Sequence, residues 1–342
     1  MTKVMNCFLG KSRGGIEVVA LDYANAVKKL GYESEILTLD NRNYTDFLKN
    51  GGLNMHYVCG RGLNPITVFH FAYLLKKSKP DVVFLHGTKA VEFGTSGFIR
   101  LCFPNIKFIG VSHGVFSKKY KKLKYAMGIA TFIQKELQKI GIEKTFCCPN
   151  TTQVENNIPP APSHAIPVIG AIGRDSPIKG WDILFDALGK LKQKSIPFKC
   201  KVSVKKDNYA EQINRLNLND DIDFLGWVSD KRDFFSKTDI YCLPSRGEGM
   251  PLTILEAMMY GKPVAVSDCP GSVEIVKNSE SGFISRIGNS EQLAEHLEFF
   301  LTHPDKILSM GAQARKHILA HFNNEHLPDR LQKIIQEVQS LN

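Results

Sequence analysis

Ile240-Tyr-Cys-Leu243-Pro244-Ser-Arg-Gly-Glu248-Gly249-Met250-Pro251-Leu252-Thr253-Ile-Leu-Glu256-Ala-Met-Met-Tyr-Gly261-Lys-Pro263-Val-Ala-Val-Ser267 holds a strand, a loop, a helix and a second strand in one run. The apolar run ending at Leu243 is short enough for a buried strand. Pro251 suits the first helical position, where its missing N–H is no loss, and Gly261 suits the stop. Apolar strands joined by a helix belong to parallel sheets. Working outward, the second half shows further strand candidates at Pro167–Ile172, Phe198–Val204, Ile222–Leu225 and Gly282–Ile284. The first half has the same rhythm, with strands at Lys3–Leu9, Ser34–Leu39, Asn54–Val58, Asp81–Leu85 and Lys107–Ser112, and helices at Ile16–Leu30 and Pro65–Lys77. Two doubly wound parallel sheets are expected. Val154–Pro167, with Asn156, Asn157, Pro159, Pro160 and Pro162, interrupts the rhythm and reads as the linker. The predicted domains are therefore 1–155 and 165–342, the second ending in a helical tail, Glu291–Leu341, free to pack back on the first.

The chain has 342 residues, enough for two cores, with 43% apolar and 23% charged residues. Those proportions exclude disordered, collagen-like and coiled-coil chains. The start lacks a leader pattern, and the apolar run Val68–Leu75 is too short to span a bilayer. Eight cysteines without CxxC spacing read mostly as small core residues of a reducing compartment, so a cytoplasmic setting is expected. Charge is uneven. Residues 1–150 carry 22 Lys and Arg against 10 Asp and Glu, whereas 151–342 carry 22 against 24. A basic first half fits an anionic partner or a solvated lysine surface. No recognition motif for nucleic acid accompanies it.

Glu248 sits where a strand gives way to a helix. The N–H groups of Leu252 and Thr253 leave that helix's N-terminus, where the dipole suits a phosphate. Glu256, about one and a half turns in, can touch another part of one extended ligand. A second strand–loop–helix, Val168 to Trp181, carries Arg174 and Lys179 on its loop, at the carboxyl end of a parallel strand, where open α/β sheets bind ligands. A guanidinium and an ammonium there form a clamp for a diphosphate, or are loop cations in water. Gly14 and Gly15 join the first strand to the first helix and allow a close backbone approach, or make a plain tight turn. Gly10-Lys11-Ser12 is not a P-loop, since Met5 stands where its first glycine is required. His113 ends the fifth strand candidate, as a ligand group or a structural hydrogen bonder.

The order Gly14-Gly15-Ile16-Glu17, Ser112-His113-Gly114, Gly173-Arg174 to Lys179-Gly180, Phe224-Leu-Gly-Trp227 and Glu248 to Glu256 resembles the group 1 family of retaining glycosyltransferases. The resemblance covers nearly the whole chain and is strongest from Pro167 to Val276. It implies the GT-B fold, two Rossmann-like domains facing each other across a cleft, with a nucleotide-sugar on the C-terminal one and no metal or other cofactor. It further implies that Glu248, with backbone at Gly249, Met250 and Pro251, holds the donor sugar, that Leu252 and Thr253 belong to the same donor site, and that Glu256 binds the ribose. Arg174 and Lys179 would stabilise the leaving diphosphate, His113 would contact the sugar, Gly14 and Gly15 would approach phosphates and acceptor, and Trp227-Val228 would lie beside the base. Two positions depart from the family pattern: Lys205-Lys206-Asp207 replaces a glycine-rich turn, and Ser272 stands where a second glycine is frequent.

These implications give a hexosyltransferase using a UDP- or GDP-sugar on a saccharide or lipid-linked acceptor, in bacterial lipopolysaccharide or surface-polysaccharide synthesis. A sugar phosphorylase or synthase, or a silent nucleotide-sugar binder, remain the alternatives. Val115–Lys124 places Phe116, Tyr120 and Leu123 four and three residues apart amid Lys118, Lys119, Lys121, Lys122 and Lys124. As a helix this is a membrane-surface pattern, peripheral at the inner face; otherwise the apolar residues pack on the core and the lysines are solvated.

Overall fold

The computed structural model describes residues 1–10, 14–39, 52–60, 62–114, 118–158 and 165–341. The chain divides into two compact units, one of Met1–Asn150 with Asn324–Asn342, the other of Thr151–Asn323. The division thus falls before the expected linker, whose residues 159–164 lie outside the described ones, and the end of the chain belongs to the first unit.

In the first unit the strands are β1 (Lys3–Phe8), β2 (Glu33–Leu39), β3 (Asn54–Val58), β4 (Val82–His86), β5 (Lys107–Ser112), β6 (Tyr125–Gly128) and β7 (Lys144–Cys147). They form one parallel sheet in the order β3-β2-β1-β4-β5-β6-β7. The central strands are covered on both faces, so they are apolar almost throughout, and β4 is buried along its whole length. The order reverses between β1 and β4. Crossovers in parallel sheets are right-handed, so helices Gly15–Lys29 and Pro65–Ser78 fall on opposite faces. The last helix, Leu327–Ser340, buries Leu331, Ile334, Ile335 and Val338 at helical spacing and packs against Gly15–Lys29.

The second unit contains β8 (Val168–Ala171), β9 (Lys199–Val202), β10 (Ile222–Phe224), β11 (Ile240–Leu243), β12 (Val264–Ser267) and β13 (Gly282–Ser285). Its parallel order, β10-β9-β8-β11-β12-β13, is that of a dinucleotide-binding fold and reverses between β8 and β11. Helices Trp181–Gln193 and Ser290–Thr302 close one side of the core, with Leu184, Phe185, Leu188, Leu297 and Phe300 fully buried. Each such side chain contributes about 1.5–3 kcal/mol by leaving water.

Two expectations are corrected. The described part of Val115–Lys124 is not an amphipathic helix: Lys118–Lys122 is a 3-10 turn, and residues 115–117, including Phe116, lie outside the described ones. Tyr120 and Leu123 are buried, and the Tyr120 hydroxyl donates to Val111 O at 2.9 Å. They occupy space left by Gly110 on β5, where a Cβ would come within 2.4 Å of the Leu123 side chain. The lysines around them remain exposed, and Lys119 pairs with Glu92. Second, Pro251 caps its helix, which begins at Leu252. No described helix is long and apolar enough to cross a membrane.

Candidate active site

β8 and β11 are neighbours, with Ile240 opposite Ile169 and Tyr241 opposite Gly170. The loops leaving their carboxyl ends therefore start side by side at the point where strand order reverses, which is where such sheets bind ligands. Gly180 closes the first loop at φ +68°, and a Cβ there would lie 2.0 Å from Pro244 O of the second. Only glycine fits that approach. Arg246 fastens the same two loops: its N–H donates to Ile178 O at 2.7 Å, and its guanidinium donates to Pro177 O at 2.7 Å and to both Asp182 oxygens at 2.8 and 2.5 Å. That fork holds the Asp182 carboxyl below the usual carboxylate range.

Across this seam Lys179 Nζ donates to Glu248 Oε1 at 2.6 Å, and Ser245 Oγ donates to the same oxygen at 2.6 Å. The two side chains are only 15% and 11% exposed, so solvent screens the pair less than a surface ion pair. Arg174 lies five residues before Lys179 and is exposed. Its backbone is pinned, since Arg174 O accepts from Trp181 Nε1 at 3.0 Å and the preceding Gly173 exchanges hydrogen bonds with the Ser203 hydroxyl at 2.8 and 2.9 Å. Gly249 is half-buried, whereas Met250 and Pro251 are buried at the foot of helix Leu252–Met259. That helix has no side-chain cap for its first N–H groups, among them those of Leu252 and Thr253.

Glu256 has a different partner. Lys231 Nζ reaches both its oxygens, at 2.5 and 2.7 Å. Burial pushes the Glu256 carboxyl up, and the Lys231 charge opposes that rise. Lys231 opens helix Lys231–Ser236, which Asp230 caps by accepting from Asp233 N at 2.9 Å. This short element follows Trp227-Val228, so Lys231 ties the segment after β10 to Glu256. Trp227 is 66% exposed, an uncovered ring at the carboxyl side of the sheet. Lys205-Lys206-Asp207 lead into a 3-10 turn, Lys206–Tyr209, whose Tyr209 hydroxyl donates to Asp175 Oδ1 at 2.8 Å. A hollow of about 860 Å³, lined by Phe283, His296, Phe299 and Met310 among others, contains none of these residues.

In the first unit Gly14 precedes helix Gly15–Lys29 with extended φ and ψ of −164° and −168°, a conformation any residue adopts. Gly15 is exposed at the first helical position. Residues 11–13 lie outside the described ones. His113 follows β5 and is joined to a residue that sequence reasoning passed over: His86, at the end of β4. His86 Nδ1 lies 3.2 Å from His113 Nε2, and His86 Nε2 lies 3.0 Å from Asn6 Oδ1. With the Asn6 oxygen as acceptor, His86 carries its proton on Nε2 and His113 donates to Nδ1, leaving His113 Nδ1 as an acceptor. Burial lowers the His113 pKa to about 3, and burial with the His113 charge takes His86 well below the usual imidazole range. Both rings are neutral at pH 7, so His113 serves as a hydrogen-bonding group and not as a cation.

The residues missed at sequence level are thus Asn6, His86, Lys231, Ser245 and the Arg246–Asp182 pair. Position offered a signal for His86, which closes an apolar strand with a glycine after it. Lys231 offered none, because its role arises only when the segment after β10 folds against Glu256.

The family model described as "Glycosyl transferases group 1" matches residues 158–317, and that described as "Glycosyltransferase Family 4" matches residues 13–143. An uncharacterized glycosyltransferase of Haemophilus influenzae is 25% identical over 330 residues, 89% of this chain and 91% of that one. Partial matches include a lipopolysaccharide core biosynthesis mannosyltransferase of Rhizobium leguminosarum, 28% identical over 45% of this chain and 46% of that one. Another is the UDP-Gal:alpha-D-GlcNAc-diphosphoundecaprenol alpha-1,3-galactosyltransferase of Escherichia coli, 32% identical over 35% and 30% of the two chains. Among solved structures, a glycosyltransferase from Rickettsia africae superposes with a TM-score of 0.87 at 22% identity, covering 100% of this chain and 99% of that one. Anabaena Alr3699/HepE in complex with UDP-glucose gives a TM-score of 0.85 at 18% identity, over 98% and 100%. These likenesses establish the fold, two Rossmann-like domains of the GT-B type. The two family matches together take in most of the chain and support its place among the group 1 glycosyltransferases.

Proposed function

We propose that this protein transfers a hexosyl group from a UDP- or GDP-sugar to an acceptor hydroxyl with retention of anomeric configuration and without a metal ion. The observation that carries the reading is the Lys179–Glu248 pair at the reversal point between β8 and β11, with Arg174 on the same loop. A donor diphosphate there competes with Glu248 for the Lys179 ammonium. Lys179 and Arg174 then stabilise the charge that grows on the diphosphate as the glycosidic bond breaks, the task a divalent cation performs in other sites. Glu248, released from Lys179, accepts hydrogen bonds from sugar hydroxyls, while Ser245 keeps its carboxylate in place. Glu256 accepts from the ribose hydroxyls as Lys231 gives way, and Trp227 stacks near the base. His113, a neutral ring braced by His86 and Asn6, accepts from a substrate hydroxyl through Nδ1.

A lipid-linked or lipopolysaccharide acceptor at the inner membrane face is the setting we favour. It draws support from the Rhizobium and Escherichia coli relatives, whose names carry lipopolysaccharide core and diphosphoundecaprenol, and from the exposed lysines of 118–124. The test is a thermal-shift panel of nucleotide-sugars followed by turnover with the stabilising donor in EDTA. One UDP- or GDP-hexose should raise the melting temperature and support transfer in the chelator. Stabilisation by none of them, or turnover only with added Mg2+ or Mn2+, would overturn the reading.

A further inference from the structure

Helix Pro65–Ser78 has two apolar sides. Phe71, Leu74 and Leu75 face the core, while Ile66, Phe69 and Tyr73 are 80%, 58% and 59% exposed. The exposed three recur at i, i+3 and i+7, so they share one face. Leu63, 53% exposed, precedes the helix. Phe98 and Leu101 extend the patch from the neighbouring helix Gly97–Cys102, and the Phe69 and Phe98 rings meet edge to face at 4.8 Å. A contiguous apolar surface of this kind on a folded unit marks an interaction site.

Charge surrounds it. Residues 52–124 contain 12 Lys and Arg against two Asp and Glu. Both acids are engaged, Asp81 accepting from Lys3 N at 2.8 Å and Glu92 pairing with Lys119. The crossovers β3→β4, β4→β5 and β5→β6 all step the same way across the sheet. Right-handed connections therefore put helices Pro65–Ser78 and Gly97–Cys102 and the turn Lys118–Lys122 on one face. Lys76, Lys77, Lys79, Arg100, Lys118, Lys121 and Lys122, on or next to these elements, are exposed.

We infer that this face, led by Ile66, Phe69 and Tyr73, seats on an anionic lipid bilayer, with the aromatic and aliphatic side chains entering the headgroup boundary and the lysines pairing with lipid charge. Aromatic rings ringed by Lys and Arg are the composition of interfacial membrane contacts. A second copy meeting the same patch would bring two strongly basic surfaces together, which like-charge repulsion opposes. The apolar element is thus helix Pro65–Ser78 and not the segment before Lys124, whose Tyr120 and Leu123 are buried. The inference adds to the membrane-side acceptor proposed above, but it is read without turnover, so a wrong donor assignment leaves its test intact.

The test is flotation with phosphatidylcholine vesicles and with vesicles containing phosphatidylglycerol, in about 0.1 M salt, for wild type and the I66S/F69S/Y73S variant. Wild type should favour the anionic vesicles by about 10-fold or more, and the triple variant should lose about 10-fold on them. The indole introduced by Phe69→Trp should be quenched by brominated acyl chains in anionic vesicles only. If the triple variant melts abnormally, Ile66→Ser, at the most exposed of the three positions, replaces it. Equal binding to both vesicle types, undiminished binding by the variant, or no quenching of the introduced indole would overturn the inference. So would a concentration-dependent dimer that the variant abolishes, or capture by an acidic protein with no vesicle binding.

Discussion

Lys179 Nζ and Glu248 Oε1 lie 2.6 Å apart and join two loops that leave neighbouring parallel strands. The pair is a resting arrangement in which each group protects the other. Lys179 offsets the desolvation of a carboxylate only 11% exposed, and Glu248 holds the ammonium at the place where a diphosphate would need it. In the proposed reaction a donor takes over one partner and releases the other.

Lys179→Ala should therefore lower kcat by about 10² or more, the loss expected for one transition-state charge contact, and should do so equally in EDTA. Glu248→Gln, which keeps shape and loses charge, should cut turnover while leaving affinity for the free nucleotide nearly intact. Steady-state kinetics with calorimetric nucleotide titration checks both. An unchanged kcat for Lys179→Ala, or equal loss of nucleotide affinity in the two variants, would remove the ion pair from the chemistry.

Gly180→Ala tests whether the seam between the loops matters. The residue has φ +68°, and its Cβ would meet Pro244 O at 2.0 Å. Left-handed strain alone costs about 1–2 kcal/mol, and the carbonyl must also move. Urea unfolding should show a loss of about 2 kcal/mol or more, and donor-induced thermal stabilisation should shrink because Lys179 and Arg246 are displaced together. Wild-type stability with wild-type donor binding would mean that the loops adjust freely.

The alternation of strands and helices was legible because strands buried on both faces must be apolar, as in β1, β4 and β11. β6 and β7 were not recognised: each has four residues, and Lys144 and Thr145 give β7 the look of a surface segment. The tail was expected to be free to pack back on the first domain, and Leu327–Ser340 lies against Gly15–Lys29; its amphipathic pattern alone states that it packs and not on what. In the candidate site, Arg174, Lys179, Glu248 and Glu256 stood out as candidates because strand-to-helix loops announce themselves by glycine and proline. Lys231 and His86 did not, because their partners are 25 and 27 residues away and only the fold brings Glu256 and His113 to them. Apolar spacing misled at Tyr120 and Leu123, where the core and not a membrane supplies the contact.

The histidine pair predicts an acid-sensitive first unit. An unfolded imidazole titrates near pH 6.5, whereas His113 in the fold titrates at about 3 and His86 also lies well below its usual range. The unfolded chain then binds more protons throughout the interval below about pH 6.5, so stability falls as pH drops through it and is fully present above. Between pH 7 and 5 the melting temperature should decrease, and the decrease should be smaller in His113→Asn, which carries no titrating ring there. Parallel pH profiles for variant and wild type would show that other groups set the acid limit.

If Glu256 binds the ribose as proposed, the Lys231–Glu256 pair gives a way to separate ribose binding from sugar binding. Glu256 lies in the helix, four residues after Leu252, and Lys231 spans both its oxygens at 2.5 and 2.7 Å. Two effects compete in Lys231→Ala. The carboxylate loses its compensating charge, so burial pushes its pKa further up, and it gains freedom to accept from the ribose. At pH 8, where a raised carboxyl still ionises, freedom should dominate, and affinity for UDP or GDP should hold or rise slightly. At pH 5 the protonated acid is a poorer acceptor, and affinity should fall more steeply than in wild type. Glu256→Ala should lose about 10-fold or more in nucleotide affinity at both values, since the hydroxyls lose their acceptor outright. Titration calorimetry of the three proteins at pH 5 and 8 gives the answer. Should Glu256→Ala bind nucleotide as wild type does, the pair is a structural brace for the segment after β10, and the ribose is held elsewhere.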